Sequence, residues 1–166
     1  MSVNSMGTPE YEDVALEMIR NYCRWHVCPK KTETLTIDGG TGSIIQLRTK
    51  RIIEVAKVID SGSDVTSSVE WSEAGILRKA GGFNNRLRGV QVTLTHGYDL
   101  SELPDVVPII GQLKSRLQTP VGSVRSQTAG PYSVSYATVG GLPVGGAMLL
   151  ATEKAILDRY RLVWGP

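Results

Sequence analysis

The 166 residues and 18.0 kDa of this chain fit one domain with a real core, since a chain of this size buries about two-thirds of its unfolded surface on folding. Eighteen Lys and Arg face sixteen Asp and Glu, a formal charge of +2. That balance excludes a histone-like basic binder and an acidic disordered tail, though not a local basic patch. Two cysteines do not make a disulfide scaffold. No stretch supplies the roughly 20 apolar residues of a membrane span. Met1 to Gly7 lacks a basic start followed by an apolar core, so no signal peptide is read.

The chain opens with a helix. Thr8 is placed to cap it, Pro9 sits where a missing N–H costs nothing, and Glu10, Glu12 and Asp13 favour the positive end of its dipole. Tyr11, Val14, Ala15, Met18, Ile19 and Tyr22 recur at three- and four-residue intervals as one apolar stripe, which Pro29 ends.

After Lys31 the period becomes two. Leu35 and Ile37 alternate with Thr34, Thr36 and Asp38, Gly39–Gly40–Thr41–Gly42 supplies a turn, and Ile45 and Leu47 continue beyond it. This spacing predicts a hairpin. Ile52 to Ile59 is rich in β-branched residues and ends at Asp60–Ser61–Gly62–Ser63. Val69 and Trp71 share a short strand face, Ile76–Leu77–Arg78 follows Gly75, and Val90, Val92 and Leu94 alternate with Gln91, Thr93 and Thr95. About six short strands without crossover helices predict an antiparallel sheet or small sandwich over 33–98.

Helical spacing returns at Leu103 and runs through Val106, Val107, Ile110, Leu113 and Leu117. Ser101 is the expected cap, and Pro108 is expected to kink the helix. Residues 120–146 read as a glycine-rich arm, without charge from Ser126 to Thr152. Tyr132, Val134 and Tyr136 alternate there with Ser133 and Ser135. A third helix and tip occupy 147–166, the helix running from Ala147 or Thr152 to Leu162. Ile156, Leu157 and Tyr160 share its face, and Val163–Trp164 forms an apolar tip. The predicted class is α+β: three main helices, an inserted antiparallel sheet or sandwich and a long arm, in a single domain over 1–166.

Chemistry-bearing patterns are sparse. Cys23, His26 and Cys28 lie close together but lack the second ligand pair of a structural zinc site, and read as buried or partly buried helix-end residues. Neither His26 nor His96 stands beside a nucleophile motif, and no Gly-x-Ser-x-Gly elbow occurs. Gly39–Gly40–Thr41–Gly42 lacks the Lys–Ser/Thr of a phosphate loop. Lys50, Arg51, Arg78, Lys79, Arg86 and Arg88, with Trp71 and Phe83, outline a cationic face. Glu54, Glu70 and Glu73 interrupt it, so a solvated mixed-charge surface is expected. No catalytic, cofactor or metal residue is assigned, and an enzyme is not expected.

The run Val69–Glu70–Trp71–Ser72–Glu73–Ala74–Gly75–Ile76–Leu77–Arg78, then Gly81–Gly82–Phe83, then Val90 to Asp99, sits between two helices. It is followed by the arm at Gly130–Pro131–Tyr132–Ser133–Val134 and a last helix, Glu153 to Arg161. In this order the chain resembles the head-to-tail adaptor (connector) proteins of tailed double-stranded DNA bacteriophages, those of actinobacterial hosts in particular. The likeness spans Tyr11 to Arg161 and rests on order and spacing.

The resemblance implies a structural virion protein without catalysis or cofactor. It would form a ring of copies, usually dodecameric, at the virion neck. Its partners would be the portal protein above, a stopper or tail-terminator protein below, and double-stranded DNA passing through the lumen without sequence-specific binding. Within that frame Tyr132, Val134 and Tyr136 are candidates for strand addition between subunits. Arg159, Tyr160, Arg161, Leu162, Val163 and Trp164 are candidates for portal docking, aromatic and Arg residues being enriched at binding hot spots. Tyr160 and Trp164 have an equal alternative as the last pieces of the monomer's core. Another neck component, or a β-sheet nucleic-acid-binding module, is the alternative function.

Overall fold

The computed structural model describes residues 10–118, strand segments 126–129, 132–135, 138–139 and 142–143, and residues 148–163. Thr8, Pro9, Gly130, Pro131, Tyr136, Ala147 and Trp164, which the sequence reading names, lie outside them.

Helix α1 spans Tyr11–Cys23. Ala15, Leu16, Ile19 and Cys23 are its buried line, while Tyr11 is 47% exposed. The stripe read from the sequence is therefore right in period but displaced toward one edge, and Leu16, absent from that reading, belongs to the buried line. Arg24 enters the left-handed region at φ 67° and returns its N–H to Arg20 O at 2.7 Å, which closes the helix. Trp25, Val27 and Cys28 then turn inward to the same core.

Strand β1 (Lys31–Ile37) does not form the expected hairpin with β2 (Ile44–Gln46). It pairs antiparallel with β7 (Val90–His96), far along the chain, with Leu35 opposite Val92 and Ile37 opposite Val90. Strand β3 (Ile52–Asp60) takes the other side of β7, and β4 (Ser63–Asp64) caps its end, so the first sheet runs β1-β7-β3-β4. A second sheet runs β2-β6-β5, from Ile44–Gln46, Ile76–Lys79 (β6) and Val69–Ser72 (β5). The glycine turn after Ile37 sends the chain across to that sheet instead of back along β1. Gly39 donates its N–H to Arg86 O, at 2.8 Å, on the loop that leads into β7.

The two sheets share a core of Leu47, Ile52, Val58, Leu77, Phe83, Val90, Val92 and Leu94. Each such side chain contributes about 1.5–3 kcal/mol when fully withdrawn from water. In β7 the alternation is clean, with Val90, Val92, Leu94 and His96 all buried. In β3 it is broken by register shifts between Ile52 and Glu54 and between Val55 and Lys57. Ile52, Val55 and Val58 consequently face the core at a spacing of three, a bulge effect that period-two reading misses. Asp60, buried at the end of β3, meets Lys79 Nζ of β6 at 2.6 Å and the Asn84 N–H at 3.1 Å, joining the sheets through charge.

Helix α2 covers Val107–Gln118, starting four residues later than Leu103, after a 3-10 turn at Leu100–Glu102. Asp99, not Ser101, begins that turn, and its N–H donates to the Glu102 carboxylate at 2.9 Å. Because α2 begins at Val107, Pro108 falls in its first turn, where no N–H partner is required, and the expected cause of a kink disappears. Ile109, Ile110 and Leu113 face α1 in the helical core.

Helix α3 is only Ala151–Leu157. Its Glu153 carboxylate is buried, accepting the Leu150 N–H at 2.8 Å and a bidentate contact from Arg116 at 2.6 and 2.8 Å. Residues 158–160 turn, and the Leu162 N–H donates to Cys23 O at 2.9 Å. That bond draws the chain back onto α1 and ends the helix before the expected Leu162. Among the described residues the arm contributes two hairpins: β8 (Ser126–Ala129) with β9 (Tyr132–Ser135), and β10 (Thr138–Val139) with β11 (Leu142–Pro143). Neither hairpin joins the two main sheets. The α+β class read from the sequence stands.

Candidate assembly surfaces

Three regions could carry contacts with other molecules: the outer face and edge of the β1 sheet, the arm hairpins, and the chain beyond α3. The outer sheet face is built by strict alternation. Thr32, Thr34 and Thr36 of β1 lie opposite Thr95, Thr93 and Gln91 of β7. Thr32 and Thr95 hydroxyls meet at 2.7 Å, and Thr34 and Thr93 at 2.9 Å. The result is an uncharged hydroxyl ladder, stiffened by cross-strand pairs. On the opposite face Leu35 and Ile37 are only half-buried, so the core is incompletely covered at the β1 edge.

The C-terminal candidates separate into two groups. Tyr160 belongs to the helical core's margin: its hydroxyl donates to Asp105 at 2.9 Å, its carbonyl accepts from Trp25 Nε1 at 2.6 Å, and its ring meets Tyr98 edge-on at 5.7 Å. Burial, then the Asp105 bond and charge, push its phenol up to about 12. Leu162 is fully packed. Arg159, Arg161 and Val163 face outward, with Val163 89% exposed. Arg159 reaches Asp105 at 2.5 Å, and Arg161 lies over the Tyr22 ring at 5.3 Å. Lys50 Nζ donates to the Arg159 carbonyl at 2.8 Å, fastening this segment to the loop before β3.

Half of the cationic face outlined by the sequence is neutralised by carboxylates. Arg78 pairs with Glu70 across β5 and β6, Arg51 reaches Glu73 at 3.0 Å and Glu102 at 3.3 Å, and Lys79 is held by Asp60. Phe83 is buried beneath Lys79 at 5.6 Å and offers no stacking platform. Among the described members of that face, Lys50, Arg86 and Arg88 have no carboxylate partner; Lys50 donates to the Arg159 and Arg161 carbonyls, and Arg86 and Arg88 flank exposed Leu87 on the loop before β7.

Cys23, His26 and Cys28 do not converge on an ion. Both thiols are buried, and burial raises both; Cys23, further raised by Cys28, reaches about 12. No group of three or more His, Cys, Asp or Glu among the described residues is arranged to hold a metal. The sequence did not disclose that His26 and His96, 70 positions apart, bring their rings to 5.5 Å. His96 Nε2 contacts Glu33 at 2.7 Å, and Nδ1 faces Thr49 Oγ1 at 3.2 Å. Burial holds both imidazoles below their ordinary range, against the opposing pull of Glu33 on His96 and of the Pro29 carbonyl on His26. The Thr49 hydroxyl beside His96 is fully buried, out of a substrate's reach, and the pair serves as the packed joint between the helical core and the sheet. Of the described residues, no helix is long and apolar enough to cross a membrane.

No protein-family model matches the chain, and no curated protein matches it. Solved structures do. A chain of the neck of a native GTA particle, computed with C12 symmetry, superposes with a TM-score of 0.62 at 15% identity, covering 94% of this chain and 82% of that one. A chain of the neck of an empty GTA particle, computed with C6 symmetry, gives 0.56 at 15% identity, covering 100% and 85%. At such identity the likeness is one of fold, and it extends over nearly the whole molecule. The chain shares the fold of these two GTA neck chains.

Proposed function

We propose that this protein is a structural component of the neck of a tailed-phage-like particle, acting as a head-to-tail adaptor. Copies form a cyclic ring, with twelve as the expected number, between the portal protein and a stopper or tail-terminator protein. DNA crosses the lumen. The observation that carries this reading is the near-complete superposition on a chain from a neck of C12 symmetry. The element order, helix, β insertion, helix, arm, short helix, supports the same reading independently of that match.

The chemistry fits a conduit. Surface cations are mostly paired in place, and the net charge of +2 gives little hold on a polyanion, because affinity for DNA comes chiefly from the phosphates a protein neutralises. In a ring the contact is heterologous, so each copy needs two different complementary surfaces. The arm around Tyr132, Val134 and Tyr136 supplies one. For the portal, Arg159, Arg161 and Val163 are the outward members of the C-terminal set, and Tyr160 and Leu162 hold them in position from the core; Trp164 completes the proposed tip.

Electron microscopy of the protein mixed with its portal protein tests the reading. A cyclic layer seated on the portal is expected. Particles whose neck reconstruction lacks this chain, or a defined catalytic turnover by the purified subunit, would overturn it. The nucleic-acid-binding alternative predicts salt-sensitive DNA binding by the isolated chain, where the adaptor predicts little.

A further inference from the structure

The outer edge of β1 is open. Its residues Lys31–Ile37 pair with β7 on one side, and no described residue makes a backbone hydrogen bond to them on the other. Open edges are templates for strand addition unless charge or cover blunts them. Lys31 and Glu33, an ion pair at 2.9 Å, guard only the first half. Thr34–Leu35–Thr36–Ile37 is an uncharged stretch of four, with Thr34 and Thr36 exposed on one face and Leu35 and Ile37 half-buried on the other.

The same chain carries a strand of matching length and pattern. Strand β9 is Tyr132–Ser133–Val134–Ser135, four uncharged residues alternating apolar and hydroxyl. Its register with β8 sets Ser133 opposite Thr128 and Ser135 opposite Ser126, so hydroxyl-bearing residue types pair at alternate positions along it. This hairpin pairs with no main-sheet strand of its own chain.

We infer that β9 of one copy adds to the β1 edge of the next, along Thr34–Ile37. The inference rests on the neck-ring reading and names the surface that receives the arm. Addition would continue the Thr32–Thr95 and Thr34–Thr93 hydroxyl ladder with Ser133 and Ser135. It would also lay Tyr132 and Val134 beside Leu35 and Ile37, covering the part of the core that the monomer leaves thin. Main-chain bonds give the affinity and alternate side chains fix the register, since a one-residue slip would set apolar against hydroxyl along the whole pairing. Donor and acceptor are different surfaces of one chain, the requirement for a head-to-tail ring.

The test uses two full-length single variants, Thr34→Cys and Ser133→Cys, oxidised separately and as an equimolar mixture at high protein concentration. The native Cys23 and Cys28 are buried and do not compete. The expected result is a mixed disulfide dimer at least tenfold more abundant in the mixture than in either variant alone; Ser135→Cys covers the neighbouring register. As an independent measure, hydrogen exchange of Thr34–Ile37 slows at least tenfold on assembly. Absence of the mixed disulfide with both variants folded overturns the inference. So does a Thr34→Cys/Ser133→Cys double variant that closes its disulfide within one chain. Cyclic particles without the mixed disulfide would leave the neck reading standing and remove this contact. A mixed disulfide without cyclic particles would do the reverse.

Discussion

The Tyr160 hydroxyl donates to Asp105, 2.9 Å from one carboxylate oxygen and 3.2 Å from the other, on a segment that also carries the exposed Arg159. The bond fixes the chain beyond α3 against the turn before α2. Tyr160→Phe removes it while keeping the ring, and a loss of about 1–2 kcal/mol in unfolding free energy is expected by denaturant titration. Arg159→Ala should change stability by less than about 1 kcal/mol, because that side chain is two-thirds exposed and its pair is solvent-screened. Arg159→Ala and Val163→Ser therefore test portal docking without unfolding the subunit. Truncation from Glu153 does not, since it would strip buried Glu153, Leu157 and Leu162 from the helical core.

Lys79 and Asp60 form a second relationship with a clear sign. Burial raises the Asp60 carboxyl, but the Lys79 hydrogen bond, the Asn84 N–H and the Lys79 charge outweigh it, and the net position is below the usual carboxylate range. Its contribution is therefore present above about 3.8, the unfolded value, and is lost as pH falls through the lower folded value. Lys79→Met leaves a buried carboxylate unpaired. A loss of about 3 kcal/mol at neutral pH is expected, and the deficit should shrink as pH falls, because burial without Lys79 favours the protonated Asp60 carboxyl. A deficit that is absent at neutral pH, or the same at every pH, would show that the pair does not hold the sheets together.

The two imidazoles predict a separate pH effect. His96 faces Glu33, Thr49, Lys31, His26 and Trp25; His26 faces Pro29, Arg20, Lys31 and His96. Both folded values lie below the ordinary 6.5. Their stabilisation is complete above that value and declines as pH drops from it through the lowered folded values, because the unfolded chain takes up the protons first. Chemical denaturation at about pH 7.5 and about pH 5 should show the decline, and a His26→Gln/His96→Gln double variant should flatten it.

Gly75 meets a backbone limit. Its φ is +89°, and an added Cβ would lie 2.4 Å from the Thr49 carbonyl oxygen; its own carbonyl accepts the Leu47 N–H at 2.7 Å. Gly75→Ala should cost more than about 2 kcal/mol, combining left-handed strain with the clash. Gly62 has the same φ with open space around it, so Gly62→Ala should cost only the strain, about 1–2 kcal/mol. Equal thermal melts for the two variants would refute the clash.

Cys23, held neutral up to about 12, is a poor thiolate ligand. A strong chelator should leave the melting temperature of the full chain unchanged, and Cys23→Ala/Cys28→Ala should still assemble. Metal-dependent folding would contradict both expectations.

The sequence by itself determined the kinds of element. The apolar stripe of α1 and the Val90–Val92–Leu94 alternation reflect burial on one face, a local consequence of backbone period; the alternation survives in the structure unchanged and the stripe keeps its period while its buried line shifts. Strand partners were not legible in the sequence. β1 joins β7 rather than β2, because backbone hydrogen bonds are the same for every residue and only the assembled core decides which strand covers which. The bulges of β3 hid Val55 and Val58 from a period-two reading, and the Leu162 bond to Cys23 shortened α3. Tertiary packing likewise brought His26 to His96 and divided the C-terminal candidates, turning Tyr160 inward while leaving Val163 in solvent. Contacts between residues far apart in sequence depend on how surfaces fit once formed, and no local spacing records that.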